Sequence, residues 1–410
     1  MKPAWRVDTA LAVILAISAL LAIRAPGAPD RDRVFGMDFG IPTQWYGSPS
    51  DFRPDCVGVP ENSIGLDFLN IDRCLKSLGT ETALYKRDCP CDPFRRPYTY
   101  PPLMTFLFLW VFWVSTAVSV KIWTTAVLTL ILLNVYLWLG FWKADISVPR
   151  RLAACVLLTF SYPSLFSYQR GQQDVWLLFL MAACAVFLKH QRWFWLGAAL
   201  AAAGLLKIYP APLFVSLGLV FIFLPAARSF WAGGAVALAL GVGLFFETTL
   251  YYVQHTLPLL SHLAFTKPNN VHSHSLTVAL GGWGVACFAL LWAAGMVILW
   301  QALKKKSADA LPAFLFLAGL SVYLPRTSYD YNLILWIPVF AGYLSGREKT
   351  VDVIEWAGVT LLALGVFLPR WLQNLVWPDC PQSVFLWLQL GGMALWAGGY
   401  FCRHLPKRLQ

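Results

Sequence analysis

Apolar runs of about 17 to 25 residues, the length that crosses a hydrocarbon core of about 30 Å, recur from residue 9 to residue 401 of this 410-residue chain. No soluble core could bury so many of them. Lipid is therefore the expected solvent, and in lipid the backbone must satisfy its own polar groups, which points to helices throughout. The expected fold class is an all-α integral membrane protein. Composition agrees, with 58% hydrophobic and only 13% charged residues, well away from the soluble norm. The runs leave no room for a separate soluble domain, so residues 1–410 read as a single transmembrane domain. A formal net charge of +11 would suggest nucleic acid in a soluble protein. Here the basic residues sit in short loops between apolar runs, where they act as topology signals, and no nucleic-acid partner is expected. No small-residue cleavage site follows the first run in Arg24-Ala25-Pro26-Gly27, so that run is read as a retained first helix.

Caps, turns and apolar periodicity place helices near residues 8–25, 119–142, 152–168, 174–188, 193–206, 210–225, 229–250, 277–302, 310–325, 331–346, 351–369 and 384–402. That makes about twelve spans. Residues 101–116 are ambiguous, because the stretch is apolar yet opens with Tyr100-Pro101-Pro102-Leu103. Charge decides the matter. If this piece does not cross, one side carries Lys2, Arg6, Lys143, Arg150, Arg151, Lys189, Arg192, Arg228, Lys304, Lys305, Lys306, Arg347, Lys349, Arg403, Lys407 and Arg408. The short loops opposite then carry one cation each: Arg170, Lys207, Lys267, Arg326 and Arg370. If it crosses, every later loop inverts, against the positive-inside rule. Residues 101–116 are thus expected to lie at the interface, with both termini cytoplasmic and the large first loop, residues 26–118, extracytoplasmic.

That loop differs from the rest in composition. It holds Cys56, Cys74, Cys89 and Cys91, which in an oxidising compartment are expected to form one or two disulfides. A metal site would need His or Cys at finger-like spacing, and the loop contains no His; no metal site is called. Within the loop, residues 66–79 put Phe68, Ile71, Leu75 and Leu78 on one helical face, with Gly79 suited to the C-terminal cap. This segment is expected to be a helix on the outer membrane surface, apolar face down. Asp67 falls in its first turn, where helix-end N–H groups favour a carboxylate, the form a general base needs. The plain alternative is an acid that merely solvates a surface helix.

Four further outer turns carry polar groups beside apolar helices, where each needs a partner or a task. They are Ser167-Tyr168-Gln169-Arg170-Gly171-Gln172-Gln173-Asp174, then Lys207-Ile208-Tyr209-Pro210, then Lys267 to Ser275 with His272 and His274, and finally Arg326-Thr327-Ser328-Tyr329-Asp330-Tyr331-Asn332. A lone cation at a helix end also serves simply by snorkelling. A ring of single cations around one cavity suits a phosphate or diphosphate held at the membrane surface. The paired histidines without an acidic partner more often hydrogen-bond than chelate, and Glu247 is an intramembrane acid with no assigned partner.

The order of these pieces resembles the GT-C membrane glycosyltransferases, closest to glycosyltransferase family 87. The similarity rests on the first-loop Asp67-Phe68 helix, Leu84-Tyr85, Tyr98-Thr99-Tyr100-Pro101-Pro102-Leu103, the Arg170-Gly171-Gln172-Gln173 turn, Leu206-Lys207-Ile208-Tyr209-Pro210, the 270–275 stretch and the run from Ser328-Tyr329 to Pro338. The resemblance implies a GT-C fold with interfacial helices in the first loop, and a sugar donor carried on a polyprenyl phosphate. It implies transfer to a lipid or glycan acceptor on the extracytoplasmic face, with inversion, as in mannosyltransferases of cell-envelope glycolipid biosynthesis. The setting it implies is a multi-pass protein of the plasma (inner) membrane. Asp67 is the implied base, with Asp38 of Gly36-Met37-Asp38-Phe39-Gly40 a competitor, and Asp174 stands where related transferases place a second acid. Lys207, Arg326 and Arg170 are the implied donor-phosphate ligands. Tyr100, Gln172, Gln173, Asn270, His274, Tyr329 and Asp330 are the implied substrate contacts. No cofactor is called for, and divalent-metal dependence is left open.

Two other readings share the composition. A twelve-helix secondary transporter would also have cytoplasmic termini, but such folds commonly repeat in two halves and no repeat relates residues 1–200 to 210–410. A lipid-linked oligosaccharide ligase would usually carry its large outer loop late in the chain, whereas this loop comes after the first helix.

Overall fold

The computed structural model describes residues 33–34, 37–38, 66–78, 85, 98, 100–142, 146–224, 226–258, 275–307, 310–325, 330–345, 353–367 and 382–404. Among these residues the architecture is helical apart from a minimal hairpin, β1 (Arg33–Val34) paired antiparallel with β2 (Met37–Asp38). The first described helix, α1, spans Leu66–Leu78. After it come α2 (Pro102–Phe106) and a 3-10 turn (Leu109–Trp113), leading into the 27-residue α3 (Thr116–Trp142). The chain continues through α4 (Val148–Thr159), α5 (Tyr162–Arg170), α6 (Asp174–Lys189), α7 (Trp193–Leu206) and α8 (Ala211–Ile222). Beyond these lie α9 (Ala227–Gly243), α10 (Phe246–Tyr251) with a π turn, α11 (Leu276–Lys304) and α12 (Ala310–Leu320). A 3-10 segment (Asp330–Trp336) leads into α13 (Ile337–Leu344), and α14 (Val353–Phe367) and α15 (Gln382–His404) complete the described chain.

Eleven of the expected helices lie among these elements, while the first, residues 8–25, lies outside the described residues. Two of the expected helices need correction. The helix expected over residues 152–168 is two helices, because Ser161 takes an extended conformation (φ −66°, ψ 153°) and Pro163 opens α5, where its missing N–H costs nothing. The helix expected over 229–250 is bent by 95° between α9 and α10. Among the described residues two helices, Val118–Trp142 and Leu280–Lys304, are long and apolar enough to cross a membrane by themselves, or three if the bent pair counts as one span. The remaining apolar length is divided by these breaks and by 3-10 segments.

Residues 101–116 fold as two short pieces over Pro102–Trp113, a length of about 18 Å at about 1.5 Å per residue, against about 30 Å of hydrocarbon. Helix α1 also departs from expectation. Its apolar face, Phe68, Ile71 and Leu75, is buried against protein and not laid on lipid. Phe68 sits in an aromatic nest, stacked on Trp110 and Trp123 and tilted against Phe108. That nest fixes the start of α1 against α3, and so fixes Asp67. Large apolar side chains such as Trp113, Phe223, Trp283 and Leu290 are exposed on the outside, as a lipid-facing surface requires and a water-facing one avoids.

Close helix approach depends on glycine. A Cβ at Gly197 would lie 2.0 Å from the Phe230 carbonyl oxygen, and one at Gly233 1.8 Å from that of Phe194, so α7 and α9 touch backbone to backbone. Gly358 of α14 and Gly392 of α15 meet in the same way, the small-residue contact typical of membrane helices.

Candidate functional site

The site is built from three turns that converge at one end of α3 and α6. The first is the start of α1, which presents Asp67. The second joins α5 to α6. Gly171 adopts the left-handed conformation (φ 66°), the Gln172 N–H bonds to the Ser167 carbonyl at 2.9 Å and the Gly171 N–H to the Tyr168 carbonyl at 3.0 Å. This is a Schellman closure. The Trp123 indole donates to the Gly171 carbonyl at 2.8 Å, tying the turn to α3. The third is the extended residue Lys207 between α7 and Pro210, where the helix stops and the side chain turns back toward α6.

These turns bring two acids and two cations into one hydrogen-bonded chain. The Arg170 guanidinium grips Asp67 with both arms, Nη2 to Oδ1 at 2.5 Å and Nε to Oδ2 at 2.9 Å. Gln172, wholly buried, donates its amide to Asp67 Oδ2, and its Oε1 accepts from Lys207 Nζ at 3.4 Å. Lys207 Nζ donates to Asp174 Oδ2 at 2.8 Å, and the Tyr209 hydroxyl donates to Asp174 Oδ1. The order is thus Arg170, Asp67, Gln172, Lys207, Asp174, Tyr209. Two negative and two positive charges cancel, which is what makes their burial tolerable. Asp174 also sits in the first turn of α6.

Tyrosines flank the chain. Lys207 Nζ lies 6.0 Å from the centre of the Tyr100 ring. The Tyr85 hydroxyl donates to the Tyr100 carbonyl at 2.5 Å, holding that loop in place. Burial first, and then the negative charge of Asp67, push the Tyr100 phenol above its ordinary pKa; the phenol lies against Gln173. Tyr100 therefore keeps its proton and offers it as a hydrogen-bond donor.

Of the residues singled out from the sequence, Asp67, Asp174, Arg170, Lys207, Gln172, Gln173 and Tyr100 meet here. Arg326, Asn270, His272, His274 and Tyr329 lie outside the described residues, as does the side chain of Asp330. The competitor Asp38 is the end of β2, its side chain likewise undescribed. Glu247 is exposed at the first turn of α10 and makes no ion pair among the described residues. The cations were expected to stand singly around a cavity, yet Arg170 and Lys207 each pair with an acid. Tyr209, Tyr85 and Trp123 have structural parts that the sequence did not single out, although Tyr209 and Tyr85 stand inside the motifs that did draw attention. Cys74 is disulfide-bonded on α1, whereas Cys56, Cys89 and Cys91 lie outside the described residues.

A family model described as glycosyltransferase family 87 matches residues 98–325, more than half of the chain. The matched stretch includes Tyr100, the Arg170 turn and the Lys207 turn. No curated protein and no solved structure matches.

Proposed function

The chain belongs to glycosyltransferase family 87 and is an enzyme that transfers sugars; from that premise we propose that it moves a sugar from a polyprenyl-phosphate donor to a lipid or glycan acceptor, with Asp67 as the base. In this reaction the acceptor hydroxyl gives its proton to the Asp67 carboxylate. Its oxygen attacks the anomeric carbon from the face opposite the phosphate, and the C–O bond to phosphate breaks, leaving the electron pair on the phosphate. Configuration inverts. Arg170 and Lys207 stabilise the charge that grows on the leaving group, which is where electrostatic assistance has most effect. Asp174 and Tyr209 hold Lys207 in place, while Tyr100 and Gln173 offer polar contacts for the sugar.

The observation that carries this reading is the single chain of contacts joining Asp67 to Arg170, Gln172 and Lys207. Three loops far apart in sequence deliver one acid and two cations to one place, and that is the pair of functions an activated hydroxyl and a phosphate leaving group require. The membrane setting has separate support. Cys74 is disulfide-bonded two turns along the helix that starts with Asp67, and disulfides persist in oxidising compartments. At the far end of α6, Lys189 lies over Phe141 and Arg150 bonds the Leu344 carbonyl. Lys189 and Arg150 thus stand at the end opposite the site, which supports a multi-pass protein of the plasma (inner) membrane whose active site faces outward.

The test is Asp67→Asn in purified protein returned to lipid and supplied with a panel of polyprenyl-phosphate sugars. The amide keeps the shape and loses the basicity, so transfer should fall by about 10² to 10⁴-fold while the protein remains folded. Wild-type turnover in that variant would remove Asp67 from the mechanism.

A further inference from the structure

We propose that Arg170 is a latch on the base, opened by the phosphate of the donor, so that Asp67 becomes able to take a proton only after the donor has bound. The proposal rests on the function given above and adds the order of events. Both carboxylate oxygens of Asp67 are occupied, Oδ1 by Arg170 and Oδ2 by Arg170 and Gln172. In that arrangement three of the carboxylate's four lone-pair positions are filled, and the guanidinium lies across both oxygens, where an acceptor hydroxyl would have to approach. The base is present but covered.

A phosphodiester offers the guanidinium the same bidentate geometry as a carboxylate, with fully ionised oxygens. It would meet the cation first, since the Arg170 side chain is 21% exposed and that of Asp67 10%. Arg170 is the last residue of α5, just before the left-handed Gly171, so its side chain can swing from carboxylate to phosphate with the turn unchanged. Its hold on the phosphate tightens as the diester becomes a monoester and gains charge.

The second ion pair is built differently. The Asp174 side chain is 0% exposed and also takes the Tyr209 hydroxyl, so drawing Lys207 away would strand a buried charge. Lys207 therefore stays, and Arg170 moves. Gln172 touches both pairs, and after Arg170 leaves it still donates to Asp67 Oδ2, which aims Oδ1 at the acceptor. With no donor present the enzyme does not activate water or a stray hydroxyl.

The test reads the exposure of Asp67 directly, without sugar transfer. Purified protein in lipid is treated with a water-soluble carbodiimide and an amine, and modification of Asp67 is followed by mass spectrometry. The probe is a farnesyl methyl phosphodiester, which carries the lipid and the charge of the donor linkage but no sugar. The expected result is slow modification in the wild type and a rise of about tenfold or more with the probe, the protection of one hydrogen bond to a charged group. Arg170→Gln should be modified rapidly with or without probe, and Arg170→Lys, which covers one oxygen only, should fall between. Dimethyl phosphate at the same concentration should do nothing. Unchanged or slower modification of Asp67 with the probe, Arg170→Gln as slow as wild type, or an equal response to dimethyl phosphate would each overturn the latch. Failure of the latch is distinguishable from failure of the reading beneath it. An inactive Asp67→Asn with probe-insensitive labelling rejects the latch alone, whereas an active Asp67→Asn rejects the base itself.

Discussion

Asp67 and Asp174 are the same side chain in two employments, and their partners separate them. Asp67 is at the edge of the cluster with some exposure, and Asp174 is sealed behind Lys207 and Tyr209. The first suits proton transfer and the second suits holding a cation still. Lys207→Ala should then raise the donor KM by about tenfold or more, the value of one hydrogen bond to a charged group, with a smaller effect on the acceptor KM; steady-state kinetics with each substrate varied in turn separates the two. Gln172→Leu keeps the volume but leaves Asp67 and Lys207 without their common partner. It should lower kcat by about 10 to 100-fold through misaligned charges and leave the circular dichroism spectrum unchanged; a variant with normal kcat would show that Gln172 only fills space. The sequence names nearly all of these residues, because polar groups beside apolar runs stand out. It does not name the pairings. Asp67 and Arg170 are 103 residues apart, and which acid answers which cation is decided by three turns converging in space. Arg170 and Lys207 thus read as free phosphate ligands when each has a carboxylate of its own.

Helices are the most legible level of this protein and their interruptions the least. Long apolar runs fix where α3, α6, α7 and α11 lie, and the ends agree within a few residues because caps and charged turns punctuate them. The breaks at Ser161 and between α9 and α10 follow from packing, which a periodicity argument does not contain; only Pro163 gave a local hint. Gly281, at φ 55°, likewise kinks the start of α11 inside a run that looks continuous. Glycine matters most where helices touch. A Cβ at Gly358 would lie 2.5 Å from the Trp396 backbone nitrogen and one at Gly392 2.5 Å from that of Leu362, whereas Gly391 and Gly398 have nothing within 4 Å. The pattern gives an internally controlled experiment. Gly392→Leu should destabilise the protein by about 1–3 kcal/mol, the usual cost of forcing volume into a packed contact, measured as a lower midpoint in detergent-solubilised denaturation. Gly391→Leu, one position away on the same helix, should leave the midpoint near that of wild type. Equal effects at both positions would mean that helix propensity, and not the α14–α15 contact, sets the response.

At the scale of the whole molecule, the two ends of the helical array differ in chemistry. One end gathers the neutralised cluster around Asp67 and the disulfide-bonded Cys74, and the other gathers Arg150, Lys189 and their neighbours. Helix α6 runs between them, from Asp174 to Lys189 over 16 residues, or about 24 Å at about 1.5 Å per residue. A helix of that length in an array with exposed tryptophan and phenylalanine on its flanks fits a bilayer, and the proposed orientation turns the end with Arg150 and Lys189 to the cytoplasm. The proposed orientation has a direct consequence for the proposed chemistry, because it would put the Asp67 cluster on the side where a lipid-linked donor, and not a soluble nucleotide sugar, is met. It can be read by accessibility at two positions that take no part in the cluster. Ile208 is 39% exposed beside the Lys207 turn, and Lys305 is exposed at the end of α11. In a background without other reactive thiols, Ile208→Cys should react with a membrane-impermeant maleimide in intact cells. Lys305→Cys should react only after permeabilisation, since the proposed orientation places its basic cluster in the cytoplasm. Reaction of both from the same side would mean that the chain between them does not place these turns on opposite faces. The reverse pattern would put Asp67 in the cytoplasm and remove the argument for a donor presented at the outer surface.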